Sequence, residues 1–327
     1  MHILKTFAVL LAGALSWSAA HAQSYPGKTI RVIVPFAAGG SNDVIGRALQ
    51  RPLAKYLNGN IVVENMPGAS TKIGVMEVMK AAPDGHTLLF ASLASTMAYY
   101  YSGAFDDVKV HQQLTILGRS GQMPWGMLEA RADAPFKTWQ ELVAYARKNP
   151  GKLSAGGPAL GGMMNLIVLE TAKSAGFDIT YVPFAGGGPS GTALLGGHIE
   201  YRVAQPTEVI SNMKAGKTRG LAMGFPNRIP EMPDVPTFRE LGIAFDVPVF
   251  GFDLWGPPGL PAGIASQITR AMEQAVKDPE FGEVARKITY QPVFTGPEPL
   301  KEMMREFEKE IGPKLLAAFP PEKDKKK

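Results

Sequence analysis

The chain contains no cysteine in 327 residues. Disulfides, iron–sulfur clusters and thiolate zinc sites are therefore excluded. Histidine is scarce: beyond residue 22 only His86, His111 and His198 occur, and no H-E-x-x-H is present. Zinc hydrolysis thus has no ligand set, and neither a metal nor a cofactor is expected. No phosphate loop of the form G-x-x-x-x-G-K-[ST] is present, and the glycine turns are not read as a dinucleotide fingerprint, so nucleotides are not expected. Ser190 lacks a G-x-S-x-G elbow, and no nucleophile pairs with a base, so the chain is read as a non-enzyme. No basic patch is interleaved with aromatics, which argues against nucleic acid.

Long apolar runs are also missing. Residues 7–15 are apolar behind Lys5, and Ala20-His21-Ala22 fits a small-x-small cleavage rule. Residues 1–22 read as a signal peptide cut after Ala22, too short to span a bilayer. The expectation is an exported, periplasmic monomer. Net charge is +5, part of it in Lys5 and in the lysine-rich end at 322–327. With 45% hydrophobic and 19% charged residues the remainder has globular composition, and about 300 residues suggest two domains.

What is abundant is glycine, 36 residues, much of it in turns that follow β-rich runs. Residues 30–43 read IRVIVPFAAGGSND. The β-branched run at 30–34 predicts a strand that Pro35 stops. A small-residue turn follows, then Ser41, Asn42 and Asp43, all helix N-cap types. Val44, Ile45, Ala48, Leu49, Leu53 and Leu57 have helical spacing. Strand, glycine turn and helix start together make an anion site.

Further strands are expected at 60–64, 86–92, 114–118, 126–131, 152–155, 179–183, 199–203 and 218–223. Residues 247–254 should form an extended segment crossing back to the first lobe. Helices are expected at 72–82, 136–148, 163–175, 191–195, 266–277 and 299–319, the last interrupted at Gly312-Pro313. Glycine turns recur at 156–162 and 184–190. This alternation predicts an α/β fold of two lobes, each a mainly parallel sheet flanked by helices, with ligands at the carboxyl ends of the strands. The lobes are drawn at 23–122 plus 247–327, and at 123–246. Met163, Met164, Trp125 and Phe184 are candidates for an apolar wall.

The segments Y-P-x-K-x-I-R-V-I-V-P-F-A-A-G-G-S-x-D from Tyr25, V-V-E-N-x-P-G-A from Val62, A-P-D-G-x-T-L-L from Ala82, N-P-G-K-L from Asn149, V-P-F-x-G-G-G-P from Val182, L-G-G-H from Leu195 and M-P-D-V-P-T from Met232 resemble the Bug-type solute-binding proteins of tripartite tricarboxylate transporters. The resemblance implies a Venus-flytrap binder, type II-like, that hands a small carboxylate to a membrane permease. The alternative is the same fold presenting its ligand to a membrane sensor. Carried onto this chain, the resemblance places the ligand at Pro35, Phe36, Ala38, Gly40, Ser41 and Asp43, to which Asn42 at the helix start and Ser92 at the carboxyl end of an expected strand are added as candidates. Across the cleft it adds Gly157, Gly161, Gly162, Met164, Asn165, Pro183, Phe184, Gly186, Gly187, Arg202 and Gln205. Departures fall in the second lobe. Gly161-Gly162-Met163-Met164-Asn165-Leu166 lacks the usual hydroxyl and imidazole, Leu169 replaces an acid, and Val203-Ala204-Gln205 lacks another. Near the return strand the usual Trp-Phe-Gly becomes Gly251-Phe252-Asp253. Loss of polar groups predicts an aromatic or otherwise apolar carboxylate, terephthalate-like, rather than citrate or an amino acid.

Overall fold

A computed structural model describes residues 25–320 apart from 107, 124 and 249. The expected signal peptide and the charged end at 322–327 lie outside the described residues. Ile30–Val34 forms β1, and helix α1 runs over Ser41–Leu57 with Ile45, Leu49, Leu53 and Leu57 on its buried stripe. The N-cap is Gly40, one residue before the three expected cap residues, so Ser41, Asn42 and Asp43 lie inside the first turn. Then come β2 (Ile61–Asn65), α2 (Lys72–Met79), β3 (Thr87–Ala91) and α3 (Leu93–Tyr101). A short α4 (Val110–Gln113) leads into β4 (Thr115–Met123).

The second sheet starts with β5 (Met127–Arg131). It continues through α5 (Trp139–Lys148), β6 (Ser154–Pro158), α6 (Met163–Ala175) and β7 (Thr180–Phe184). Next are α7 (Gly187–Leu195), β8 (Tyr201–Ala204), α8 (Pro206–Lys214) and β9 (Thr218–Met223). The chain then returns as β10 (Phe250–Gly256). Helices α9 (Ala262–Lys277), α10 (Pro279–Lys287), α11 (Pro297–Glu310) and α12 (Gly312–Ala318) finish it. The break before Gly312 is where the glycine–proline pair was expected to interrupt the helix.

Helices α3, α4, α8 and α10 were not expected from the sequence, and two glycine-rich stretches also differ from the expectation. Gly156 and Gly157 lie within β6 rather than in a turn, because β6 pairs on both sides and a bare backbone fits there. Helix α7 begins at Gly187, four residues before its expected start at Gly191. Its start is pinned from outside, by a side chain described below.

The strand orders are β2-β1-β3-β10-β4 and β7-β6-β8-β5-β9. In each sheet the fourth strand in the order, β10 or β5, runs antiparallel to both neighbours, while the other pairings are parallel. Four of five strands therefore share one direction, and their carboxyl ends face the same side. The reversed strands are the ones beside the two crossings between sheets. At these crossings Trp125 lies on Phe250, with ring centroids 4.1 Å apart. Phe250, Phe252, Phe90 and Tyr290 continue this aromatic stack into the first lobe's core.

Each reversed strand also carries a buried acid paired with an arginine on a neighbouring strand. Asp253 on β10 meets Arg119 on β4 at 2.7 Å. Glu129 on β5 meets Arg202 on β8 at 2.5 Å, directly opposite it in the register. The isolated cost of burying these charges is large, so they persist only as hydrogen-bonded pairs.

Candidate functional site

The carboxyl ends of the two sheets face each other across a cleft. At its centre is a cavity of about 30 Å³ lined by Phe36, Gly40, Ser41, Asn42, Ser95, Tyr99, Trp125, Pro158, Met163, Met164, Gly187, Gln205 and Glu208. That is room for roughly two waters. Phe36, Tyr99, Trp125 and Pro158 supply part of its wall, and the rest comes from the starts of five helices. Gly40 and Ser41 open α1, Ser95 is in the first turn of α3, Met163 and Met164 open α6, Gly187 opens α7, and Gln205 and Glu208 open α8. Helix N-termini carry unpaired N–H groups and the positive end of the dipole, so their convergence favours an anion.

The two buried ion pairs reach this cleft. Asp253 Oδ2 accepts from the Leu93 backbone N–H at 2.6 Å and so fixes the start of α3. Arg202 Nη1 donates to the Gly187 carbonyl at 2.8 Å and fixes the start of α7. The frames of both lobes thus set the positions of helix ends.

The lobes are held shut by direct bonds. Ala37 N–H donates to the Ala185 carbonyl at 2.9 Å. Ser41 donates to Glu208 Oε1 twice, from its backbone N–H at 3.0 Å and from Oγ at 2.9 Å. Ser41 Oγ also meets Thr207 Oγ1. Farther out, Ser70 Oγ donates to the Leu160 carbonyl at 3.1 Å. Several buried polar atoms in or beside the cleft have no protein partner: Trp125 Nε1, Gln205 Oε1, Asn42 Oδ1 and Ser92 Oγ. Burial keeps the Tyr99 phenol far above its ordinary range, so it remains a neutral hydroxyl.

Of the residues expected to bind ligand, Phe36, Gly40, Ser41, Asn42, Met164, Gly187 and Gln205 line the cavity. The others do not. Arg202 is 2% exposed and spent on Glu129 and the Gly187 carbonyl, behind the wall rather than on it. Asp43 accepts from Gly39 N–H and pairs with Arg47, which closes the glycine turn on itself. Asn165 accepts from Gly161 N–H in the same way. Gly162 caps α6 against the Tyr99 ring, Gly161 packs on Ser102, and Gly186 faces Ala37. Pro35 packs beside Gly74, Gly157 beside the Tyr181 hydroxyl, and exposed Ala38 beside Gly188. Pro183 is exposed on the edge strand β7, and Phe184 packs with Ala193, Leu194 and Ile199. Ser92 caps α3, buried at its start.

One sequence expectation needs correction. Residues 186–191, GGGPSG, do satisfy G-x-G-x-x-G directly after β7. The geometry still disfavours a pyrophosphate, because Gly186 and Gly188 close on Ala37 and Ala38 and the Glu208 carboxylate lies against Gly187. The residues missed by sequence reasoning are Ser95, Tyr99, Pro158, Thr207 and Glu208. For Glu208 a signal existed: Pro206 at a helix start with an acid two residues on marks a helix N-terminus. For Tyr99 the signal was the apolar run after β3, which continues as α3.

The family model described as tripartite tricarboxylate transporter family receptor (TctC) matches residues 45–314. The chain belongs to this family. Among relatives it is 34% identical over 287 residues to the protein of the TAR-I ttuE-ttuC' intergenic region of Agrobacterium vitis, covering 84% of this chain and 79% of that one. It is 29% identical over 297 residues to BugT of Bordetella pertussis, covering 90% and 91%. Among solved structures it resembles the periplasmic binding protein BugD, with a TM-score of 0.83, 26% identity and coverage of 90% and 98%. It also resembles MatC of Rhodopseudomonas palustris with bound malate, with a TM-score of 0.80, 26% identity and coverage of 89% and 100%. The chain is thus a Bug-type receptor, a solute-binding protein with the α/β two-lobe fold of this family.

Proposed function

We propose that this receptor captures a small carboxylate in the periplasm between its two lobes and delivers it to a tripartite tricarboxylate-type permease, without catalysing any reaction on it. The observation that carries this reading is the convergence of five helix N-termini on one cavity. They supply N–H donors and positive dipole ends but no nucleophile, which suits reversible capture. The malate bound to MatC supports a carboxylate as the class of ligand.

The wall supports the finer choice. Phe36, Tyr99, Trp125, Met163 and Met164 give the cavity a largely apolar and partly aromatic lining. A ligand with many hydroxyl or amino groups would leave polar atoms unpaired against these side chains. An aromatic or otherwise hydrophobic carboxylate fits better. A cavity of about 30 Å³ is too small for a ring, so ligand entry requires the lobes to part and close again around it.

Thermal-shift screening of the mature protein with benzoate, phthalate, terephthalate, adipate, malate and citrate tests the reading. Stabilisation by the aromatic acids is expected. A response to citrate or malate alone would overturn the aromatic assignment, and no response to any carboxylate would overturn the carboxylate assignment. Recovery of unchanged ligand after incubation checks that there is no turnover.

A further inference from the structure

We infer that Glu208 sets the charge of the ligand: the protein supplies one carboxylate of its own at the α1 end of the cleft, so the site takes a solute with a single carboxylate and discriminates against a second. This rests on the carboxylate reading above and goes beyond it.

The cleft has two poles. At one pole the starts of α1, α7 and α8 meet. Glu208 lies in the first turn of α8, and its Oε1 accepts both Ser41 N–H and Ser41 Oγ–H at the start of α1. Its carboxylate also lies against Gly187, where any Cβ would collide with it, so the first residue of α7 is shaped around this acid. Arg202 Nη1 stands 3.8 Å from Oε2 on the buried side. One negative charge, held on the second lobe, therefore meets three helix ends when the lobes close. A ligand carboxylate brought to this pole would face a like charge and would lose the Ser41 donors.

The other pole is different. The starts of α3 and α6 carry no acidic residue of their own in the first turn; the Asp253 carboxylate that accepts from Leu93 N–H at the start of α3 is offset by its partner Arg119. They are adjacent, Tyr99 of α3 lying on Gly162 of α6. The Trp125 indole, in the crossing between the sheets and on the same cavity wall, is 2% exposed, and its N–H has no protein partner. Two helix starts that face no unbalanced negative charge and a spare donor line the same cavity, so this is where one carboxylate gains most. At the Glu208 pole, the unpaired Gln205 Oε1 and Asn42 Oδ1 are acceptors as oriented, which suits a donor or a neutral group but not a second anion.

The test compares a one-carboxylate and a two-carboxylate ligand of the same ring. Dissociation constants for benzoate and terephthalate are measured by calorimetry on the wild-type protein, on Glu208→Gln and on Glu208→Asp. The wild type is expected to prefer benzoate by about tenfold or more, a difference of about 1.4 kcal/mol. Glu208→Gln removes the charge and keeps the shape, and should erase most of that preference through tighter terephthalate binding. Glu208→Asp keeps the charge and should retain the preference. Equal wild-type affinity for the two ligands would overturn the proposal without any variant being needed. An unchanged ratio in a folded Glu208→Gln protein would overturn it too, while leaving the carboxylate reading intact. Failure of all three proteins to bind either ligand, or any of the screened carboxylates, would remove the carboxylate reading and this proposal together.

Discussion

Replacing Arg202 with methionine separates two roles that sequence alone could not distinguish. If Arg202 met the ligand, its loss would weaken binding and barely affect stability. The structure places it behind the wall instead, 2.5 Å from Glu129, with the two side chains 2% and 0% exposed. Glu129 would then be left buried and unpaired, and breaking such a pair costs about 3–5 kcal/mol. For a unit of this size that corresponds to a melting shift on the order of 10 °C downward. Removing both charges, as Arg202→Met with Glu129→Leu, should restore most of the loss, because a buried pair often gives way to apolar residues at little net cost. Yet the Gly187 carbonyl would still lack its 2.8 Å donor, and the start of α7 would be less well fixed. The double variant should therefore melt near the wild type and bind benzoate more weakly. Scanning calorimetry gives the first quantity and titration the second. A single Arg202→Met protein of wild-type stability that has lost binding would refute this account and return Arg202 to the ligand.

Gly187→Ala puts a methyl group into the Glu208 carboxylate, so it should weaken closure and lower benzoate affinity about tenfold, and adding Glu208→Ala should recover part of the loss, which a double-mutant cycle would read as coupling. Trp125→Phe keeps the ring on Phe250 and removes the unpartnered indole N–H; affinity for benzoate should fall by a factor of about ten while the melting temperature changes little, as titration and thermal scanning would show. His111 is packed on Tyr100 and Tyr101 and held below its ordinary pKa by burial, with Glu308 opposing that shift and Lys109 adding to it. The unfolded chain therefore takes up this proton first, so the contribution is fully present above a pH of about 6.5 and is lost as pH falls through the folded value. Thermal scans from pH 7.5 to 5 should show a downward slope that His111→Gln reduces; parallel slopes in both proteins would reject the assignment.

Much of the fold was legible locally. The β-branched run of β1 and the helical spacing from Val44 to Leu57 each specify an element through side-chain periodicity, and both were recovered within a residue or two. So were β9 and α6, and the interruption at Gly312-Pro313. Where local patterns were weak, the reading failed. Gly156 and Gly157 looked like a turn, yet they are strand, because pairing to β7 and β8 outweighs glycine's low β preference. Helix α7 starts on glycines since Arg202, 15 residues on and in another strand, fixes the Gly187 carbonyl.

By itself, then, the sequence determined much of the succession of strands, glycine turns and helices, the absence of thiol chemistry, and the likeness to a transporter receptor. These follow from residue types and short-range periodicity. Only the tertiary structure decided which charges meet. Glu129 and Arg202 are 73 residues apart, and Ser41 and Glu208 are 167 apart. Such partners are chosen by sheet register and by how two lobes close, quantities that no local pattern carries. That is why Arg202 moved from the ligand to the frame, and why Glu208, which the sequence marked only as an acid at a helix start, became the residue that sets the charge of the cleft.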